Sequence, residues 1–294
     1  MTMRRLTVVL LTVLVALAVP HRADAWGFEV HKYIMERAIP LLPAQIRPFF
    51  DKYKVAIVEH AVDPDLWRTA GWLEEPPRHF VDMDAYGAYP FKELPHAYDQ
   101  AVARYGKEFV DKNGTLPWRT EEIYKKLVEA FTQKAGYARE NIKFFSSIIA
   151  HYTADAHVPF HAALNYDGQL SGQWGIHSRF ESELFERYKE KLQIAPKPVV
   201  PIPNAREFIF DTLTASFPFV QPALDADKAA VAGRDVYDDQ YFMLFFSKSK
   251  AILDKRLSDA ISGVASMITA AWVEAGRPAL PLDVVNPPRK VRKP

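Results

Sequence analysis

Apolar residues along this chain recur at helical spacing, and no segment shows the sustained alternation of apolar and polar residues that is typical of a strand. The first such run is formed by Val30, Ile34, Ala38 and Leu41. Similar runs follow through most of the chain. The pattern therefore predicts an all-α protein, folded as a single multi-helix domain over residues 26–276.

The predicted helices are separated by turn and proline signals. We expect one or two short helices within 43–62, helices at 93–105, 118–132, 137–157, 177–192, 204–216 and 225–232, and one long or two shorter helices within 236–275. Asp63-Pro64-Asp65 favours a turn, and the double proline at 76–77 favours a rigid loop. Residues 162–176 are predicted as a loop, 196–203 as a Pro-rich connector and 277–294 as a mobile basic tail.

Residues 1–25 have the features of a secretory signal peptide. Arg4 and Arg5 precede an apolar run over residues 6–19, and Ala23-Asp24-Ala25 provides a small-residue cleavage site. The apolar run is short for a transmembrane helix, although an uncleaved anchor is an alternative. The sequence therefore predicts an exported protein, periplasmic or secreted, whose mature chain begins at Trp26.

The amino-acid composition limits the kinds of ligand and of metal site that the protein can form. The 294 residues are 49% hydrophobic, which is ample for a large core, and the net charge of +1 provides no global field to recruit nucleic acid or an anionic membrane. Cysteine is absent, so disulfides and thiolate metal sites are excluded. Any metal must be bound by histidines, carboxylates or backbone groups.

Two pairs of candidate metal ligands lie four residues apart in predicted helices. His151 and Asp155 form one pair, His177 and Glu181 the other, and His161 lies between them. Residues at i and i+4 share a helix face, so each pair presents an imidazole nitrogen and a carboxylate oxygen together. Zinc accepts both donors. The alternative is that these are ordinary surface or capping residues.

Further candidates precede these pairs in the chain. Cleavage after Ala25 gives Trp26 a free α-amine, which can lose its proton and, with the Trp26 carbonyl, chelate a metal. The others are His31, Asp63, Asp65 and His79. Two alternatives stay open: Asp63 or Asp65 caps a helix, and His79 is an ordinary loop residue.

The ordered set resembles a known superfamily. It consists of Trp26, His31, Asp65, His79, His151, Asp155, His161, His177 and Glu181. The set is similar to that of the zinc-dependent phospholipase C family and its relatives, the single-strand-specific zinc nucleases. Those are all-α enzymes with three zinc ions at the bottom of a cleft. The resemblance implies a phosphodiesterase with three Zn²⁺ ions.

The resemblance also implies how the ligands are shared among three zinc ions. One set is Asp65, His79, His151 and Asp155; the second is the Trp26 amine and carbonyl, His31 and the other oxygen of Asp155; the third is His161, His177 and Glu181. Asp65 is preferred to Asp63 because Asp65-Leu66-Trp67-Arg68 resembles the nuclease pattern Asp-x-x-Arg. Of the remaining histidines, His21 leaves with the signal peptide, and we expect His60, His96 and His157 at the surface or rim.

The implied reaction is hydrolysis of a phosphodiester without a covalent intermediate. Water bound to zinc has a pKa near 7, so hydroxide is available at neutral pH to attack phosphorus. Asp65 is the candidate that orients or deprotonates this water. Arg68 is the candidate that binds the phosphoryl oxygens.

The substrate is either a phospholipid or a nucleic acid. Glu181, within HSRFES, is similar to the phospholipases, because the nucleases tend to have Asp at that position. The segment PFHAALNY, which contains Asn165, also resembles the phospholipases more than the nucleases. Asn165 and Phe80 are candidate substrate-binding residues; Phe80 can stack on a base or belong to the core. We favour the phospholipase C-like activity, with a single-strand-specific nuclease or 3′-nucleotidase as the alternative.

Two interpretations from other classes remain open. A di-metal carboxylate bundle with redox chemistry would require four Glu residues and two Glu-x-x-His motifs, which the His-rich set here disfavours. A non-catalytic, zinc-stabilised exported protein would have closed metal sites rather than an open coordination position. Nothing in the sequence implies a stable protein partner, and we expect a monomer.

Overall fold

The computed structural model describes residues 27–134 and 136–282, and these residues are mostly helical and contain no strand. The α-helices are α1 (Phe28–Ala38), α2 (Arg47–Lys52), α3 (Lys54–Glu59), α4 (Asp63–Thr69), α5 (Tyr98–Tyr105), α6 (Lys107–Lys112), α7 (Leu116–Thr132), α8 (Ala138–Asp155), α9 (Ile176–Ser178), α10 (Leu184–Tyr188), α11 (Ala205–Ser216), α12 (Val220–Val231) and α13 (Asp239–Glu274). A π-helical turn, Arg179–Glu183, joins α9 to α10. The predicted all-α class is confirmed.

Short 3₁₀ turns complete the described structure. They are Ile39–Leu41, His60–Val62, Pro76–His79, Met83–Tyr86, Pro159–Ala162, Lys189–Lys191 and Phe217–Phe219. Proline lies in the first turn of several of them, where its missing N–H has no helical partner to lose.

Helix α13 is the longest element, and its 36 residues span about 54 Å. The Asp238 carboxylate caps its first turn by accepting a hydrogen bond from the Tyr241 N–H at 2.7 Å. Gly276, with φ of 85°, ends the helix, and the Arg277 N–H returns to the Trp272 carbonyl at 3.0 Å. Helices α1, α7, α8 and α12 pack against α13, so it organises one continuous apolar core.

Residues 193–200, which overlap the predicted Pro-rich connector, form a strap without helix or strand that is attached to α13. Backbone N–H groups of the strap donate to one side-chain oxygen per turn of the helix, at 2.7–3.0 Å. The acceptors are Asp254, Ser258, Ser262 and Ser266. Because residues four apart share a helix face, the serine ladder satisfies donors that a strand-like segment would otherwise leave unpaired.

Several local predictions differ from the structure, and three examples show why. Asp63 begins helix α4, with Pro64 in its first turn, whereas the sequence favoured a turn here and left a helix cap open as the alternative. Helix α7 begins at Leu116 rather than residue 118, again with a proline in the first turn. Helix α6 was not predicted at all, because six residues are too few to show a helical period.

The last described residues run back along the body of the domain. The Trp272 indole donates to the Pro278 carbonyl at 2.9 Å, and the Tyr53 hydroxyl donates to the Leu282 carbonyl at 2.7 Å. The predicted tail is therefore described only at its beginning, and residues 283–294 lie outside the described residues. Among the described helices, none has the length and apolar character needed to cross a membrane.

Candidate metal centre

All the predicted metal ligands that the structure describes converge in the interior. They are His31 on α1, Asp65 on α4, His79 at the end of a 3₁₀ turn, His151 and Asp155 on α8, His161 on the next 3₁₀ turn, His177 on α9 and Glu181 in the π-helical turn. Each is at most 6% exposed. Trp26, the remaining predicted ligand, lies outside the described residues, so its amine stays a prediction.

Asp155 is the centre of the first part of the cluster. Its Oδ2 lies 3.0 Å from His79 Nδ1 and 3.3 Å from His151 Nε2, whereas its Oδ1 lies 3.4 Å from His31 Nε2. The rings of His31 and His151 stack at a centroid distance of 3.8 Å. The two oxygens therefore face two neighbouring groups of nitrogen donors, as a bridging carboxylate does.

Asp65 lies between the same two groups. Its Oδ1 is 3.8 Å from His79 Nδ1, and its Oδ2 is 3.9 Å from His31 Nε2. We had assigned Asp65 to the set that contains His79, but the near-equal distances place its two oxygens toward both sets. Asp63 points elsewhere, to the exposed His60 at 2.9 Å, so the structure brings Asp65 rather than Asp63 into the cluster.

A third group lies beside the first two. His177 Nε2 is 2.6 Å from Glu181 Oε1 and 3.1 Å from His161 Nε2. His161 Nδ1 is also 3.7 Å from Asp155 Oδ1, so this group adjoins the others. The π-helical turn begins just after α9 and widens the helix between His177 and Glu181; such turns occur frequently at functional sites.

Backbone carbonyls fix the tautomers of two histidines. Nδ1 of His151 lies 2.8 Å from the Ala61 carbonyl, and Nδ1 of His161 lies 2.7 Å from the His79 carbonyl. A carbonyl only accepts, so each Nδ1 carries the proton, and each Nε2 presents a lone pair toward the cluster. This is the arrangement that metal-binding histidines require.

The donor set fits metal ions. Four ligand atoms about 2.1 Å from a tetrahedral ion lie about 3.4 Å from one another, and most separations within the groups are close to that value. Both oxygens of Asp65 and of Glu181, Oδ1 of Asp155 and both nitrogens of His31 are buried without a hydrogen bond. Unpaired buried polar atoms are costly, and bound cations would satisfy them together.

The electrostatics of the cluster are dominated by buried carboxylates. Burial, with the negative charges of Asp155 and Asp65, raises the pKa of Glu181 well above its usual range. Burial also opposes the charge on Asp155, but His151 and His161 outweigh it and lower its pKa well below the usual range. The carboxylates repel one another and require positive charge between them.

The histidines respond to the same environment in opposite directions. Burial lowers the pKa of His161 to about 3 and of His177 to about 4, so both rings are neutral donors at physiological pH. Burial also disfavours a charge on His79, but the hydrogen bond with Asp155 and the nearby Glu75 carboxylate prevail and raise its pKa to about 9. Neutral imidazoles are the form that binds metal.

The predicted site residues that are not metal ligands, Arg68, Phe80 and Asn165, have different surroundings. Arg68 Nη2 is 3.3 Å from Asp65 Oδ1, with the side chain 13% exposed, so the guanidinium lies at the edge of the centre. Phe80 is half-buried directly after His79. The Asn165 side chain is engaged within its own loop, donating to Ser171 Oγ at 3.1 Å and accepting from the Leu170 N–H at 2.8 Å. Its substrate contact stays a prediction.

One histidine is not where we expected it. His157 is buried rather than at the surface, because Gly263 in the middle of α13 allows the imidazole to approach the helix backbone. Its Nδ1 donates to the Thr153 carbonyl at 2.8 Å. Burial and the charge of Arg256 lower its pKa to about 3, so it is a neutral core residue.

The segment that carries His79 is joined to two other parts of the fold. The Val81 N–H donates to the His161 carbonyl at 2.9 Å, and the Thr115 N–H donates to the Pro77 carbonyl at 2.6 Å. Gly114, with φ of 94°, lies so close to Phe80 that a Cβ would be 2.1 Å from its carbonyl oxygen. His79 is thus positioned by backbone contacts that no sequence motif indicates.

The sequence interpretation missed Glu75. This carboxylate is fully buried, and its oxygens contact Arg78, Tyr152 and His79. The only local signal was its position four residues before His79, which a segment without helical period does not make informative.

No family model matches this chain, and no curated protein matches it either.

Proposed function

We propose that this protein is a zinc-dependent phosphoric diester hydrolase with phospholipase C-like activity. The observation that carries the proposal is the arrangement of three adjoining groups of buried donors, with Asp155 and Asp65 facing two of them at once. Structural zinc sites stand alone and closed, whereas adjoining sites with shared carboxylates are characteristic of multi-metal hydrolases. The donors contain no thiolate, which is compatible with zinc on imidazole and carboxylate.

The residues of the chain have distinct roles in this proposal. Bound zinc supplies Lewis acidity and a lowered pKa for water. Asp65, whose oxygens face both groups, accepts a hydrogen bond from the attacking water and orients it toward phosphorus. Arg68 donates to the non-bridging phosphoryl oxygens and stabilises the charge that develops on them.

Burial strengthens these interactions. The carboxylates of Asp65, Asp155 and Glu181 have no measurable exposure, and the walls of the centre are helices of the apolar core. Electrostatic attraction between the phosphate and Arg68 is larger in such a low-dielectric environment than in water. A single negatively charged phosphodiester therefore suits this site better than a neutral ester.

Phospholipid is the preferred substrate class, and single-stranded nucleic acid is the alternative. Glu181 at the third group is the feature shared with the phospholipases, whereas the nucleases tend to have Asp there. Phe80 follows a ligand and is half-buried, so it is available to stack on a base if the alternative is correct. A non-catalytic zinc-stabilised protein is the third interpretation.

The test compares three substrates in parallel with the mature, zinc-loaded protein. We expect release of phosphocholine from short-chain phosphatidylcholine to exceed cleavage of single-stranded DNA and of nucleoside 3′-monophosphates. Arg68→Gln should lower the rate at least tenfold with metal content unchanged. Faster cleavage of DNA would make the nuclease the correct interpretation, and no hydrolysis of any of the three would overturn the proposal.

A further inference from the structure

Glu75 is a buried negative charge outside the predicted ligand set. It has no measurable exposure, and it lies in the turn that leads into the His79 segment. Its Oε2 accepts a hydrogen bond from Arg78 Nη1 at 2.8 Å, and its Oε1 accepts one from the Tyr152 hydroxyl. Removing a carboxylate from water costs free energy even when it is paired, so a buried carboxylate with dedicated donors suggests a specific role.

The His79 ring lies between Glu75 and the donor cluster. Its Nδ1 is 3.0 Å from Asp155 Oδ2 and 3.1 Å from His151 Nε2, so Nδ1 is the nitrogen that faces the metal position. Its Nε2 is on the opposite side, 3.6 Å from Glu75 Oε1, and makes no hydrogen bond. His79 therefore differs from His151 and His161, which present Nε2 to the cluster.

A histidine that binds a metal usually donates from its second nitrogen to an acceptor, which fixes the orientation of the ring. His151 and His161 have backbone carbonyls in that place. For His79 the group in that place is the carboxylate of Glu75, which is a stronger acceptor than a carbonyl because it is charged. At 3.6 Å the negative charge of Glu75 favours the tautomer with the proton on Nε2 and increases the basicity of Nδ1.

We infer that Glu75 is a positioning residue that orients His79 as a metal ligand through Nδ1, and that Tyr152 and Arg78 hold Glu75 in place. The inference rests on the metal centre of the proposed function but not on the reaction. Tyr152 follows the ligand His151 on α8, and its hydroxyl also accepts from Arg119 Nε at 3.4 Å, which ties the unit to α7. Glu75, Tyr152 and His79 therefore link the metal centre to two core helices.

The experiment measures zinc affinity by competition with a chromophoric chelator, together with the visible absorption of the Co²⁺-substituted protein. Glu75→Gln keeps the shape of the side chain but removes its charge, and Tyr152→Phe removes only the hydroxyl. We expect the affinity for one ion to fall 10–100-fold in Glu75→Gln and by a smaller factor in Tyr152→Phe. The Co²⁺ absorption of that site should shift, because a change in ligand basicity alters it.

Glu74→Gln is the matched control. Glu74 pairs with the same arginine, Arg78, at 3.2 Å, but its side chain is 87% exposed. The control should bind zinc as the unmodified protein does. Unchanged zinc affinity and an unchanged Co²⁺ spectrum in Glu75→Gln would overturn the inference, as would an equal loss in Glu74→Gln.

Two further measurements distinguish failure of this inference from misfolding of the variant and from failure of the proposed function. The far-ultraviolet circular dichroism of Glu75→Gln should equal that of the unmodified protein, and Tyr152→Phe provides a milder variant if it does not. If the unmodified protein binds zinc but cleaves no phosphodiester, the proposed function fails while the affinity series still tests Glu75. If zinc does not bind at all, both fail.

Discussion

Asp63 and Asp65 lie two residues apart on the first turn of α4 but occupy opposite environments. Asp63 pairs with the exposed His60, whereas Asp65 is fully buried with both oxygens lacking a hydrogen bond. We predict that Asp65→Asn loses at least one zinc ion per chain, because an amide is a poorer metal ligand than a carboxylate. Asp63→Asn should retain all of them. Elemental analysis of the two purified variants measures their zinc contents. Equal zinc contents would contradict the assignment of Asp65 as a metal ligand.

Asp82, which is not one of the candidate metal ligands, allows a test of how the free energy of unfolding depends on pH. Burial, reinforced by the charge of Asp84, raises the pKa of Asp82 to about 7, and its Oδ1 has no hydrogen bond. The folded state therefore holds a proton that the unfolded state releases near pH 4, so this group lowers the free energy of unfolding as pH rises from about 4 to about 7. Asp82→Asn removes the effect.

We expect Asp82→Asn to be more stable than the unmodified protein at pH 8, with the difference disappearing at pH 3.5. Urea unfolding at several pH values measures this difference. Asp51→Asn, at an exposed position, is the control for replacing an aspartate by asparagine, measured at the same pH values. A constant difference for Asp82→Asn would contradict the prediction.

At the scale of elements, the turn before α7 determines where His79 lies. Gly114 combines a φ of 94° with contact against the Phe80 carbonyl. We predict that Gly114→Ala lowers both the free energy of unfolding and the zinc content, because Phe80 must move and His79 precedes it directly. The loss of stability should exceed the roughly 1–2 kcal/mol that left-handed strain costs by itself.

Gly233→Ala is the matched control for that strain. Its φ is 74°, and an added Cβ meets no atom within 4 Å. Denaturant unfolding should show only the cost of strain, and zinc content should be unchanged. If the two variants behave alike, the contact between Gly114 and Phe80 does not position the metal centre.

Distant parts of the described structure meet at the candidate metal centre, because its candidate ligands come from segments spread between residues 31 and 181. Ions that bind only to the folded state stabilise it by about 4 kcal/mol each at a thousandfold excess over Kd. We predict that a strong chelator lowers Tm by about 10 °C or more. Differential scanning calorimetry measures the change, with zinc-saturated chelator as the control. A shift within error would mean that the cluster does not bind metal.

Processing at the N-terminus offers a second test of the whole molecule. Gly27 packs closely against Ser182, next to Glu181, so the residue that follows Trp26 in the sequence lies near the candidate metal centre. We predict that a mature form beginning at Trp26 binds more zinc than the precursor or a form with Gly-Ser added before Trp26. The reason is that an amide nitrogen is a poor ligand. Full zinc and full activity in the extended form would exclude the amine.

Local patterns predicted much of the fold. The long helix that carries His151 and Asp155 was expected at 137–157 and found at Ala138–Asp155, because apolar spacing and Pro159 are local signals. The alternative of one long helix near the C-terminus proved correct, as α13. Pairs four residues apart on a helix, such as His177 and Glu181, also share a face without help from the rest of the chain.

The sequence by itself therefore determined the helical class and an ordered set of candidate ligands. Only the tertiary structure decided that Asp65 and not Asp63 faces His31, that His157 is a core residue, and that Glu75 lies behind His79. The physical reason is that helical periodicity and i, i+4 spacing involve neighbours in the chain. The meeting of α1, α4, α8 and the 76–79 turn depends instead on how the apolar faces of separate helices pack around α13.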